Sequence, residues 1–251
     1  MRSRAELVVG APAGAGGRYR IEKMRHAPPF ALRPTPDAIY LVSSAAAPVG
    51  SDDLAIDLTV RSGAEVTVRS AAAMVVWAGD GTRHHVSAKV ADHARLGWRP
   101  EPVIVTRGAR HHQSATIELS GSAKLRWREI LVLGRHGEEA GRVESTLDVT
   151  RDGVSLFRHT VAVGADRPAW AGPAILGPAR VVALELVVGD EADDIDRQCG
   201  PGWAAMALGG GAATVILAVG ETVTSVSARL VEACHTDGRI NLDIAKHARV
   251  R

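Results

Sequence analysis

The chain has 251 residues, 46% hydrophobic and 23% charged, enough to bury a core as one domain or at most two. Thirty basic residues stand against 28 acidic ones, with no basic run of five, and this balance of +2 argues against a nucleic-acid binder held by phosphate contacts. Cys199 and Cys234 are too few for a disulfide framework; with no charged-then-apolar leader pattern and no 18-residue apolar stretch free of charge, a cytoplasmic protein without a membrane partner is expected.

Residues 1–17 end in Gly10-Ala-Pro-Ala-Gly-Ala-Gly-Gly17, the composition of a flexible arm. Extended chain is expected at Tyr19–Arg25, followed by the proline-punctuated Ala27–Pro36 and a short buried strand at Ile39-Tyr-Leu-Val42. From Asp53 the alternation is plain: Ile56, Leu58 and Val60 face one way, Asp57, Thr59 and Arg61 the other. A Ser62-Gly63 turn leads to Val66 and Val68, and Gly79-Asp80-Gly81 leads to Val86, Ala88 and Val90. Ile117 and Leu119 then lead through Ser120-Gly121 to Leu125 and Trp127. Asp152-Gly153, between Leu147/Val149 and Val161/Val163, predicts a type I′ hairpin. Trp127 and Ile130 differ in parity, which predicts a bulge near Glu129.

The second half, 165–251, is less regular. Pro168–Pro178 reads as a long connection, Val181–Val188 as a buried strand, and Gly189–Asp196 as an acidic loop. Strands are expected at Trp203–Leu208 and Ala213–Val219, around a Gly209-Gly-Gly211 turn. Glu221–His235 is the one convincing helix, with Val223, Val226, Leu230, Val231 and Cys234 on one stripe, and a basic tail Lys246–Arg251 follows. No internal repeat is evident by letter identity. Period two with regular turns means a mostly β fold, and it leaves a sandwich and a β-solenoid both open.

Ten histidines invite a metal reading, above all the pairs His84-His85 and His111-His112. Neighbours on a strand point to opposite faces, so neither pair chelates one ion unaided, and the reading taken is solvated loop histidines. Cys234, on the apolar stripe, reads as core rather than as a ligand. Nothing has the spacing of a structural zinc site, a Gly-x-Ser-x-Gly elbow, a His-Glu-x-x-His helix or a P-loop, so catalysis is not expected.

Two rigid phrases stand out, Trp98-Arg-Pro-Glu-Pro-Val-Ile104 and Glu129-Ile-Leu-Val-Leu-Gly-Arg135. Pro100 and Pro102 fix φ, lack N–H groups and hold Glu101 on a stiff extended rod. In these residues the chain resembles the UreD (UreH) family of urease accessory proteins. The family pattern Ala-x-Leu-x-Trp-x-Pro-Glu-Pro-x-Ile is matched from Ala94 to Ile104. Glu-x-Leu-x-Leu-Gly-Arg followed by Gly-Glu is matched at Glu129–Arg135 and Gly137-Glu138. The resemblance runs from Ala27-Pro28-Pro29 to Gly164, with an echo at Gly209-Gly210. It implies one UreD-like domain over 1–251, folded as an irregular β-helix of many short strands with a small helical part.

The resemblance also implies a non-enzymatic chaperone that binds apo-urease and a UreF-type accessory protein, is joined through the latter by a UreG-type GTPase, and passes nickel toward urease through a water-filled tunnel. No tightly bound cofactor is expected, only nickel in transit. Four carboxylates in constrained places are candidates for that route: Asp52, which matches the aspartate of a family Gly-Gly-Asp segment, Glu101, Glu129 and Glu138. Scattered carboxylates suit passage of a divalent ion better than storage. The competing reading is that they hold turns by pairing with Arg99, Arg110, Arg126, Arg128 or Arg135. One segment departs from the family pattern: where it carries Thr-Thr-Gln and a later Thr-Lys, this chain has Arg69, Ser70, Ala71, Met74 and Val75 ahead of Trp77. A reading from another class is a β-rich carbohydrate- or ligand-binding module, for which Trp77, Trp98 and Trp127 would form an exposed platform.

Overall fold

Strands of alternating burial stack here in parallel at spacings of about 30 residues: Glu65 lies beside Arg95, Arg95 beside Lys124, and Arg110 beside Arg142. The computed structural model describes residues 1–14, 17–164, 168–195, 197–209 and 213–234. In chain order its strands are β1 (Arg2–Gly10), β2 (Arg20–Arg25), β3 (Phe30–Pro34), β4 (Ile39–Ser43), β5 (Asp53–Val60), β6 (Glu65–Ser70), β7 (Met74–Val76), β8 (Thr82–Val90) and β9 (Arg95–Arg99). There follow β10 (Val103–Val105), β11 (Arg110–Leu119), β12 (Lys124–Leu133), β13 (Arg142–Arg151), β14 (Val154–Val163), β15 (Val181–Val188), β16 (Gln198–Gly200), β17 (Trp203–Ala207) and β18 (Ala213–Gly220), with helix α1 at Val223–Ala233.

One sheet has the order β14-β13-β11-β8-β5-β1-β2, and its strands β13, β11, β8, β5 and β1 run parallel. The other has the order β16-β17-β18-β15-β12-β9-β6-β4-β3, with β10 and β7 continuing it beside β12. The chain passes from one sheet to the other at each turn, so successive coils stack as a solenoid and end in antiparallel hairpins.

The corners show why it coils. Val60-Arg-Ser-Gly-Ala64, Val90-Ala-Asp-His-Ala94 and Leu119-Ser-Gly-Ser-Ala123 occupy the same place in three coils. Each alanine is at most 1% exposed and turns its N–H back to the carbonyl three residues earlier, at 3.0–3.1 Å. Arg61, Ala91 and Ser120 donate their N–H groups to Val9, Val60 and Val90 of the preceding coil. Gly63 (φ 73°) and His93 (φ 58°) take the left-handed conformation that closes the corner, and Asp92 steadies the second by accepting from the His93 N–H at 3.0 Å.

The main core fills the space between the sheets, from Ala5 and Leu7 through Leu54, Ile56, Leu96 and Ile117 to Trp98 and Trp127. A second core lies on the far side of β12, β15 and β18, where α1 buries Val226, Leu230 and Ala233 against Ile130, Val181, Ala183 and Ile216. Thr222 caps that helix by accepting from Ser225 N–H at 3.1 Å. The helix is shorter than the expected Glu221–His235, and His235 and the basic tail lie outside the described residues.

The mostly β solenoid is as the resemblance implies, and Asp152 (φ 50°) and Gly153 (φ 79°) form the expected hairpin. Three expectations need correcting. Residues 1–17 are not a flexible arm: Arg2–Gly10 is β1, paired with β5 on one side and β2 on the other, and it buries Ala5, Leu7 and Val9 in the core. There is no bulge at Glu129: β12 pairs with β15 without a register break from Leu125–Val188 to Val132–Val181. Leu125, Trp127, Glu129, Leu131 and Leu133 share one parity, while Ile130 faces the core under α1; burial of both faces imitates a slip. The histidine pairs are not on loops: His84 and His111 are buried inward positions of β8 and β11. Among the described residues no helix is long and apolar enough to cross a membrane.

Candidate functional site

Toward one end of the coils the inward-facing positions turn polar. His84 has the parity of Val86, Ala88 and Val90 on β8; His111 and Gln113 have the parity of Ala115, Ile117 and Leu119 on β11; Ser145 follows on β13. Register places His84 beside Gln113, and Gln113 beside Ser145. From the opposite sheet Glu129 reaches into this row. Ser145 Oγ donates to Glu129 Oε2 at 2.8 Å, Gln113 Nε2 donates to Ser145 Oγ at 2.8 Å and to Glu129 Oε2 at 3.4 Å, and the Trp127 indole N–H donates to Glu129 Oε1 at 2.9 Å.

A cavity of about 350 Å³ opens above this row. His84, Gln113 and Glu129 form part of its floor, Trp98 and Trp127, stacked at 4.9 Å and 10°, part of its wall, and exposed Ala71–Ala73, Trp77 and Glu101 its rim. A second, 10 Å³ space beside Ser145 and His159, room for about one water, also borders Glu129. Glu129 therefore stands between the two.

Three buried polar atoms in this region lack a hydrogen-bond partner among the described residues: His84 Nε2, His111 Nε2 and Gln113 Oε1. Burial pushes the His84 imidazole down to about 4, and the nearby His85 adds to the shift. His111 is pushed down to about 3, again by burial first and then by His84. Both rings are thus neutral at physiological pH, the form that ligates metals. Thr82 Oγ1 sits 2.7 Å from His111 Nδ1. Unpaired buried polar atoms are costly, and a floor that keeps two of them, His84 Nε2 and Gln113 Oε1, is suited to a polar visitor.

The four expected carboxylates fall in three places. Only Glu101 and Glu129 share the cavity. Glu101 is exposed at the rim, with its N–H donating to Ser70 Oγ at 2.8 Å and no ion pair among the described residues. Asp52 is buried at the Val49–Asp52 turn, accepting from the Met1 ammonium at 2.8 Å and Val49 N–H at 3.0 Å; burial pushes its carboxyl up, and those contacts reverse the shift to below the usual range. Glu138 closes the Arg135–Glu138 turn, held by the Arg135 guanidinium at 2.9 Å and Arg135 N–H at 3.0 Å, which bring its carboxyl down to about 2. Among the described residues no three His, Cys, Asp or Glu side chains converge as a metal site.

Arg99, Arg126 and Arg128 pair with none of the four; they meet at Glu185, a fully buried carboxylate in the middle of β15. Sequence reading passed over Glu185, the one charge in an eight-residue apolar run, and over Gln113, and it set His84 and His111 aside as loop histidines; the signal of the last three was polar letters at core parity. The departing segment lies where it matters: Ser70, Ala71, Met74 and Val75 all line the cavity, so its wall is apolar there. The tryptophan platform is not formed, since Trp98 and Trp127 are 3% and 1% exposed and only Trp77, at 44%, reaches solvent.

The chain matches the family model described as "UreD urease accessory protein" over residues 3–245. It is 40% identical over 153 residues to "Urease accessory protein UreD 2" of Saccharopolyspora erythraea, covering 60% of this chain and 54% of that protein. It is 36% identical to "Urease accessory protein UreD" of Frankia casuarinae, covering 76% and 64%. With "Urease accessory protein UreD 1" of S. erythraea the identity is 33% over 237 residues, covering 90% of this chain and 91% of the relative. With the family model matched almost end to end, the chain belongs to the UreD family of urease accessory proteins.

Proposed function

We propose that this protein serves urease maturation as a non-enzymatic scaffold. In this reading it binds apo-urease and a UreF-type accessory protein, with a UreG-type GTPase joining through the latter, and nickel crosses its interior as cargo. Family membership supports the maturation role, and relatives along nearly their whole length are named as accessory proteins of urease. The observation that carries the interior route is the cavity floor. His84 Nε2 and the Gln113 carbonyl oxygen have no hydrogen-bond partner among the described residues, and Glu129 borders both the cavity and the small space beyond it. Imidazole nitrogen and carboxylate oxygen suit a borderline divalent ion, and two or three weak donors let it leave again. Glu101 stands at the exposed rim, where a carboxylate attracts a cation.

The test is nickel per active site in urease matured by co-expression with the full accessory set. His84→Ala and Glu129→Gln should leave co-purification with the UreF-type protein and urease intact while lowering nickel content severalfold. Full nickel content in both variants, at normal abundance, would overturn the interior route. Failure of the unaltered chain to co-purify with either partner would overturn the scaffold itself.

A further inference from the structure

The outer face of the second sheet carries a line of like charges that nothing in maturation by an interior route requires. Register sets Arg33 on β3 beside Tyr40 on β4, Tyr40 beside Arg69 on β6, and Arg69 beside Arg99 on β9. Arg128 on β12 continues the line, since Trp98 and Trp127 immediately before them are paired, and it ends on Glu185 of β15. Neighbouring guanidinium groups repel, and like charges directly opposite on a sheet are destabilising. One carboxylate does not settle them all. Glu185 accepts from Arg126 at 2.5 Å and from Arg128 at 2.5 and 2.8 Å, while Arg99 reaches it only at 3.5 Å. Arg99 Nε is buried without a hydrogen-bond partner, and Arg69 has no ion pair among the described residues. Burial first, then Arg126, Arg128 and Arg69, oppose the charge on Arg99, with Glu185 working the other way, and it falls to about 10, still protonated at neutral pH.

We infer that the row Arg33–Arg69–Arg99 is the docking surface for an extended acidic segment of a protein partner, whose carboxylates pair with Arg33 and Arg69, neither of which has an ion pair among the described residues, while Arg99 adds its charge from beneath. Charge complementarity selects the partner's chemistry, because planar guanidinium forks match carboxylates in paired hydrogen bonds. Length selects a segment over a small ion. From β3 to β9 the row crosses three strand spacings, about 14 Å, which an extended chain of about five residues spans. A single phosphate would touch one arginine pair only. Arg33 is exposed and Arg69 half-buried, so both are reachable from solvent.

The test measures fluorescence anisotropy of a labelled hexaglutamate peptide titrated with the full-length protein at low salt. The peptide should bind, weaken as salt is raised, and lose about tenfold in affinity on Arg69→Glu and on Arg33→Glu, while Lys89→Glu on the opposite sheet leaves it within about twofold. Melting curves accompany each variant; should Arg69→Glu misfold, the exposed Arg33→Glu alone decides. No binding overturns the inference. So does binding that survives the row's charge reversal in a folded variant, or that falls equally with Lys89→Glu. Displacement of the peptide by an equal concentration of inorganic phosphate would mark a small-anion site and overturn the segment as occupant.

Discussion

Trp127 donates its indole N–H to Glu129 Oε1 at 2.9 Å across two residues of one strand, so the ring that ends the hydrophobic core is aimed by the carboxylate that begins the polar floor. Replacing Glu129 separates its two duties. Glu129→Leu leaves the Trp127 N–H, the Ser145 hydroxyl and the Gln113 amide without their acceptor and should cost about 1–3 kcal/mol in denaturant unfolding. Glu129→Gln restores one carbonyl acceptor and should cost visibly less. Equal stability of the leucine variant and the unaltered chain would mean that these hydrogen bonds contribute nothing to the fold.

Acid should weaken the fold through His84 and His111. Their imidazoles are held at about 4 and about 3 in the folded chain against an ordinary value of 6.5. The unfolded chain therefore takes up these protons first. The stability tied to the neutral rings is complete above pH 6.5 and is lost as pH falls from there toward 3. For His84 the depression corresponds to about 3 kcal/mol. In urea midpoints measured from pH 7.5 to 4.5, His84→Gln should flatten the slope. An unchanged slope would show that the ring is not buried.

Glu185 should be the least replaceable charge in the chain. It is 0% exposed; burial pushes its carboxyl up, and Arg128, Arg126 and Arg99 more than reverse that, holding it well below the ordinary range. Glu185→Ala strands guanidinium groups in a dry setting and should cost about 3–5 kcal/mol, lowering the melting temperature by about 10 °C. A drop of no more than a degree or two would mean that water already reaches the cluster.

Corner packing gives a prediction with no charge in it. Ala94 is 0% exposed between Ala64 and Ala123 of the adjoining coils. Ala94→Val adds two methyl groups where the coils touch and should cost about 1–3 kcal/mol. Ala94→Ser, nearly the same size, should cost less, and equal midpoints for the two would show that the corner relaxes freely.

Nickel added to the isolated chain should bind weakly and at more than one place, since no three ligand-bearing side chains converge among the described residues. Calorimetry yielding one stoichiometric nanomolar site would contradict the reading of the cavity as a passage.

Period-two alternation was enough to locate β5, β6, β8, β12 and the β13–β14 hairpin, because each buries one face and wets the other. It could not choose between a sandwich and a solenoid, since strand burial does not say which strand lies alongside. The corner pattern of an apolar residue, three turn residues, alanine, a charge and another apolar residue, recurring at Val60, Val90 and Leu119, did carry that information, at a similarity too low for letter identity. The polar floor escaped for another reason. His84, Gln113 and Glu129 break the apolar pattern as a loop would, and only their shared parity with the core beyond them shows that they point inward. Glu129 was reached through the rigid phrase that contains it, whereas Glu185, with no such phrase, was hidden in its apolar run.

Because the parallel coils between β4 and β13 repeat every 28–32 residues, the size of this molecule comes in steps. A chain of this kind lengthens or shortens by whole turns of about 4.8 Å along the stack, and an insertion of any other length must bulge outward at a corner. His84 and Gln113 occupy one rung of two consecutive coils, so duplicating a coil would duplicate a rung. The depth of the interior is thus set by a count of turns rather than by the width of any one of them.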